Sequence, residues 1–192
     1  MRLALAFLVG LLCAPSARAA SEALAGSPRV GGDDCSAALD LSCLIPRTLD
    51  RGTTAGANDT VTQLVGGCQG LVTVPGPDVI YRLSLGNQDI FAAALRVVPA
   101  AGYDVAIYLL RGTAPGCPTG VFNFATNCVA AANAGGPGVI ETIPVTALLS
   151  LPDGTYYFFI DSPVATGPSS TGTYEAQLVS LCPVELIDFS IE

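Results

Sequence analysis

The stretch Leu151-Pro152-Asp153-Gly154-Thr155-Tyr156-Tyr157-Phe158-Phe159-Ile160-Asp161 constrains the fold more than any other. A proline and an Asp-Gly pair open it. Five large apolar or aromatic residues follow Thr155 without a break, and Asp161-Ser162-Pro163 closes it. A turn followed by a short run of β-formers reads as a strand. The run is too short for a helix between breakers this strong. Side chains alternate along a strand, so an unbroken run is apolar on both faces. A central strand of a two-sheet sandwich tolerates that better than an edge strand.

The rest of the chain repeats this punctuation. Candidate strands are 45–53, 61–65, 78–85, 90–98, 103–110, 121–125, 139–145, 173–181 and a short last piece at 184–191. Within 78–85, Tyr81, Leu83 and Leu85 fall on one face and Arg82 and Ser84 on the other. The segment 112–138 reads as a long loop holding Cys117 and Cys128, and 139–145 is interrupted late by Pro144. Asp33-Asp34-Cys35-Ser36 can cap a single helical turn or form a plain loop. About eight or nine short strands with almost no helix predict an all-β antiparallel sandwich or barrel. We expect one domain over 35–192, preceded by a loose leader at 20–34.

Residues 1–19 carry the three parts of a signal peptide. Arg2 supplies the positive start, Leu3 to Leu12 an apolar core, and Ala17-Arg18-Ala19 a small-residue cleavage site. This span is too short for a transmembrane helix. Cys13 follows Leu12 rather than a small residue, which argues against a lipoprotein anchor. The expectation is a secreted protein, extracellular or periplasmic, without a membrane anchor. The formal charge is −8, and loss of Arg2 and Arg18 with the signal peptide takes it to −10. There is no lysine. Such a chain has no basic patch to follow phosphates, so nucleic acid and anionic membrane surfaces are poor partners.

Export matters for the cysteines. The mature chain has six: Cys35, Cys43, Cys68, Cys117, Cys128 and Cys182. An even count in an oxidising compartment predicts three disulfides. Zinc would want closely spaced cysteine pairs, usually with histidine, and neither occurs. Cys117–Cys128 is the preferred local bridge because it would order the long loop. For the others, Cys35–Cys68 with Cys43–Cys182 is preferred over Cys35–Cys43 with Cys68–Cys182.

The absence of histidine removes Ser-His-Asp, Cys-His and histidine-ligated metal chemistry. Without lysine there is no Ser-Lys pair either. Phosphate-binding and dinucleotide fingerprints are missing. A pair of carboxylates could still hydrolyse glycosides. However, Asp50, Asp59, Asp78, Asp89, Asp104, Asp153 and Asp161 sit at turns or strand starts, where turn chemistry and solvation account for them. No tryptophan is available to stack on a sugar, and the six tyrosines fall mostly in strand runs. The expectation is therefore no enzyme and no obligatory cofactor. Calcium is the one ion to weigh, because Asp33-Asp34, Asn58-Asp59 and Asp78 could converge at one end of a sandwich.

Four ordered motifs carry a family resemblance: Asp78-Val79-Ile80-Tyr81-Arg82-Leu83, Tyr103-Asp104-Val105-Ala106-Ile107-Tyr108-Leu109, the Leu151–Asp161 stretch, and Gly172-Thr173-Tyr174-Glu175-Ala176-Gln177-Leu178. With the Asn58-Asp59 turn before them, residues 35–182 resemble the bacterial pre-peptidase C-terminal domain. The resemblance implies a jelly-roll-like β-sandwich in an exported protein. It implies a non-catalytic accessory that binds calcium or an extracellular polymer in some relatives. Relatives often carry an Asn-Asp-Asp cluster after the cysteine matching Cys128, where this chain has Val129-Ala130-Ala131-Ala132-Asn133. The function expected is a stand-alone binding or structural module toward an extracellular protein or polysaccharide. A calcium-stabilised adhesin-type domain and a two-carboxylate hydrolase are the alternatives.

Overall fold

Turn residues divide the chain into twelve strands and one helical turn among the residues that the computed structural model describes, 31–41, 48–85, 93–112, 120–123, 127–148 and 151–180. In chain order the strands are β1 (Leu39–Asp40), β2 (Thr48–Thr53), β3 (Val61–Cys68), β4 (Leu71–Thr73), β5 (Val79–Leu85) and β6 (Ala93–Pro99). They continue with β7 (Ala106–Arg111), β8 (Gly120–Asn123), β9 (Cys128–Ala132), β10 (Glu141–Ile143), β11 (Gly154–Asp161) and β12 (Thr173–Ser180). The helical turn α1 is Val145–Leu148, between β10 and β11.

The strands form three sheets. The largest has the order β1-β5-β11-β7-β9, the second β10-β6-β12-β2, and the third β4-β3-β8. The central stretch is β11, the middle strand of the largest sheet. It pairs antiparallel with β5, where Phe158 faces Tyr81, and with β7, where Phe158 faces Leu109. Alternation splits its side chains between two cores. Tyr156, Phe158 and Ile160 join Leu95, Val97, Tyr174 and Leu178 from the second sheet. Phe159 joins Tyr108, Leu110, Val61, Leu64 and Cys68 on the opposite face, with the third sheet. The all-β sandwich expectation holds, and a small third layer explains why β11 and β7 are apolar on both sides.

Burial of a full aromatic side chain stabilises by roughly 2–3 kcal/mol. Phe159 stacks on Tyr108 with ring centroids 4.8 Å apart. Tyr81 uses its polar tip to tie the two larger sheets together. Its hydroxyl donates to Asp50 Oδ2 on β2 at 2.8 Å and lies 2.7 Å from the hydroxyl of Tyr174 on β12. A buried phenol left without partners would cost more than these bonds return, so the three residues act as a unit.

Several expectations need correction. The described residues alone hold twelve strands, more than the eight or nine expected. The strands not expected are short pieces, β1, β4 and β9, that pattern alone does not separate from loop; β9 lies within the expected long loop at 112–138. Two pairings are parallel, β1 with β5 and β3 with β8. The expected strand over 139–145 shrinks to Glu141–Ile143. Pro144 cannot donate a ladder hydrogen bond, and its carbonyl instead accepts from Ala147 at 3.0 Å to start the helical turn. Residues 31–34, read from sequence as leader, belong to the fold. Gly32 exchanges both backbone hydrogen bonds with Ile80 at 2.9 Å. A Cβ on Gly31 would come within 2.3 Å of Val79, so this strap needs glycine for its close approach. Residues 1–30 (the expected signal peptide and most of the leader) and the expected last strand at 184–191 lie outside the described residues.

Candidate functional site

The cysteines form the first candidate set. Cys68, at the end of β3, is bonded to Cys128, at the start of β9, across 60 residues of sequence. Their Cα atoms are 5.7 Å apart. This corrects the expected Cys117–Cys128 bridge and excludes both Cys35–Cys68 and Cys68–Cys182. The physical reason is tertiary. The third sheet lays Cys68 on the face of the largest sheet where Cys128 also packs. Sequence proximity favoured Cys117 only because a local loop is easier to close. Cys35 is also disulfide-bonded, and its partner lies outside the described residues, as do Cys43, Cys117 and Cys182.

The bridge is helped by a tight turn. Gln69 and Gly70 connect β3 to β4 with φ of 50° and 93°. Two successive positive φ values mark a hairpin turn whose twist matches its strands. Gln69 accepts that conformation while its Oε1 accepts a hydrogen bond from the Ala131 amide on β9 at 3.3 Å. The third sheet is thereby fastened to β9 by a covalent bond and a polar contact.

Carboxylates form the second set, and they gather at one end of the sandwich. The starts of β5 and β7, the end of β11 and the turns at 33–37 and 57–60 meet there. Asp34 Oδ1 accepts from the amides of Ser36 and Ala37, at 2.7 and 3.0 Å, and of the two expectations for this segment the loop holds, since 33–37 is a turn and not a helix. Those bonds, with the Ser36 hydroxyl foremost, hold its pKa below the ordinary value. Asp33 binds the amide and the side-chain nitrogen of Asn58, both at 2.6 Å. Asn58 in turn receives the Asp78 amide on its carbonyl at 2.9 Å. The expected convergence of Asp33, Asn58 and Asp78 is therefore real, although both Asp33 oxygens are taken by Asn58.

Asp78 and Asp161 form the buried heart of this end, each with no exposed surface. Asp78 Oδ2 accepts from the Thr60 and Val61 amides at 2.8 and 2.9 Å, whereas its Oδ1 has no partner. Asp161 Oδ2 accepts from the Tyr108 hydroxyl at 2.7 Å and its Oδ1 from the Ser162 amide at 2.6 Å. The Tyr103 hydroxyl closes on the Asp161 carbonyl at 2.9 Å. Burial pushes the Asp78 carboxyl up to about 6, against the pull of the Val61 and Thr60 bonds. Burial, followed by the charge of Asp78, also raises Asp161. Sequence reading placed Asp161 at a turn. Its pairing with Asp78 had no sequence signal, because 83 positions separate them.

A second acidic pair lies at the same end. Glu141 Oε1 accepts from the Ala134 and Gly135 amides at 2.7 and 3.2 Å. Its Oε2 is buried without a partner, as is Oδ1 of Asp104. Glu141 was not singled out from sequence, since it looks like an exposed strand residue beside Ile140.

Among the described residues no tyrosine offers an aromatic platform beside these acids. Tyr81, Tyr103, Tyr108, Tyr156 and Tyr174 are buried, and Tyr157 is half-buried. An open groove of about 650 Å³ lies elsewhere, along Arg51, Gly52, Pro99, Thr173 and Glu175. Its carboxylate, Glu175, is held by Arg51 at 2.7 Å. Paired-carboxylate glycoside hydrolysis needs two acids facing each other across a cleft, roughly 5–10 Å apart. This groove offers one, already paired. Asp78 and Asp161 are neighbours but closed to a substrate. No helix among the described residues is long and apolar enough to cross a membrane. No protein-family model matches the chain, and no curated protein matches it.

Proposed function

We propose that this chain is an exported, non-catalytic binding module resembling the pre-peptidase C-terminal domain, with its acidic end as the working surface. The observation that carries the reading is the gathering of carboxylates from four separate segments at one end of a disulfide-bonded β-sandwich. Asp33, Asp34 and Asp59 are exposed there. The described arginines are engaged elsewhere, Arg51 with Glu175, Arg82 with Asp40, Arg96 with Gln177 and Arg111 with the Asp153 carbonyl. An acidic surface with no stacking ring among the described residues suits a cationic patch on an extracellular protein better than a neutral polysaccharide. The six mature cysteines and the signal-peptide pattern support export.

The test expresses the full chain in its natural export pathway and recovers the mature form. It should begin after Ala19 and contain no free thiol. Capture of a cationic envelope or secreted protein should weaken with rising salt and fall sharply in an Asp34→Asn/Asp59→Asn double variant. Capture indifferent to both would remove the acidic end from the reading. A chain retained in the cytoplasm with free thiols would remove export.

A second reading is a calcium-stabilised adhesin-type domain, favoured by the unpartnered buried Oδ1 of Asp78. A melting temperature identical in calcium and in chelator would end it.

A further inference from the structure

The 133–140 loop, which joins β9 to β10, folds back over the carboxyl of Glu141. None of residues 133–140 is buried, so apolar packing does little to hold the loop down. Its grip on the sandwich is polar. Gly138 donates its amide to the Tyr103 carbonyl at 2.9 Å. The Ala134 and Gly135 amides donate to Glu141 Oε1 at 2.7 and 3.2 Å. Glu141, at the start of β10, is 1% exposed, and its Oε2 is screened from solvent with no hydrogen-bond partner. The loop is thus pinned largely by a carboxyl that lies sealed beneath it.

The charge on that carboxyl decides how well the pin holds. Neutral Glu141 keeps both amide bonds through Oε1 and buries no charge. Ionised Glu141 binds the amides more strongly but leaves Oε2 screened without a donor. Burial, with the like charge of Asp104 on the β6–β7 turn, outweighs the two amides and raises the Glu141 carboxyl in the folded chain. No cation among the described residues offsets this. Arg96 of β6 stands opposite Thr142, on the other side of the sheet from Glu141, and donates to Gln177 at 3.1 Å. Of the strands that pack on β10, β7 has Arg111 at its far end, held by the Asp153 carbonyl, and β9 carries no charge. The Tyr103 hydroxyl is committed to the Asp161 carbonyl. Lifting the loop returns Oε2 to water and removes the penalty. We propose that the 133–140 loop is a flap released by ionisation of Glu141: closed in acid, it opens as pH rises and adds Glu141 and Asp104 to the acidic end. The sign follows from the raised closed-state value. Closure is fully favoured below the ordinary glutamate value and weakens as pH rises through the raised one. The flap does not depend on what the module binds.

Amide hydrogen exchange tests it on the oxidised full-length mature chain, in chelator. Protection of the Ala134 and Gly135 amides, corrected for intrinsic rates, should fall several-fold between about pH 4 and pH 8. Glu141→Gln keeps an oxygen for both amides and cannot ionise, so its loop should stay protected across the range. Asp104→Asn removes the like charge and should shrink the fall. Asp78→Asn should leave the fall in place, since that carboxyl belongs to another cluster. Loop protection independent of pH in the wild type would overturn the proposal, as would an equal fall in Glu141→Gln. Should that variant fail to fold, an undiminished fall in Asp104→Asn would overturn it instead. A fall abolished in Asp78→Asn would assign the exchange to global unfolding and remove the flap.

Discussion

Replacing Asp78 with asparagine should flatten the dependence of stability on pH. The structure supplies the magnitude. Burial raises the Asp78 carboxyl from 3.8 to about 6 in the folded chain. A raised folded-state value means the native state binds the proton more tightly than the unfolded state. The stabilisation is then fully present below about pH 4 and is lost as pH rises through about 6. A displacement of about two pH units at roughly 1.4 kcal/mol each corresponds to about 3 kcal/mol between pH 4 and pH 7. Asparagine keeps an oxygen for the Thr60 and Val61 amides, places an uncharged group where Oδ1 stands, and cannot ionise. Urea unfolding at pH 4, 5, 6 and 7, in chelator, should therefore show the wild type losing about 3 kcal/mol more than Asp78→Asn over that range. The comparison uses the difference between the two slopes. General charge repulsion in an acidic chain and any constant cost of the amide cancel. Parallel profiles for the two proteins would refute the reasoning, and with it the claim that burial raises the Asp78 carboxyl.

Three further outcomes follow from the fold. Replacing Cys68 and Cys128 together with alanine removes the closure of a 60-residue span, expected to cost about 4 kcal/mol by loop entropy; peptide mapping without reductant should recover the Cys68–Cys128 cross-link from the native protein and no Cys117–Cys128 peptide. Phe159→Ala deletes a fully buried ring stacked on Tyr108 and should destabilise by about 3–5 kcal/mol in chemical denaturation. Tyr81→Phe strips the bond to Asp50 and the contact with Tyr174, leaving a buried carboxylate with one donor fewer; a loss of about 1–3 kcal/mol is expected, and a change below about 0.5 kcal/mol would show that the network carries little.

The sequence by itself determined the class of fold. Pro152-Asp153-Gly154 and the unbroken run after it could only be a deeply buried strand, and β11 occupies the middle of the middle sheet. The same local signals, turn residues and period-two alternation, located β5, β7 and β12 because those strands are long enough to show them. They did not reveal β4 or β9, which are three and five residues long and are held by pairing with β3 and β7. Tertiary structure alone decided the rest. The third sheet brings Cys68 onto Cys128, a pairing that loop length argued against. The acidic end was half legible: Asp33, Asn58 and Asp78 lie at turns whose meeting could be anticipated. Asp161 and Glu141 could not be anticipated, since a carboxylate at a strand end looks the same in sequence whether it points to water or is sealed beneath a neighbouring loop. Local chemistry fixes which segments are strands. Burial, and with it the choice between a solvated acid and a binding group, depends on what the rest of the chain lays over each one.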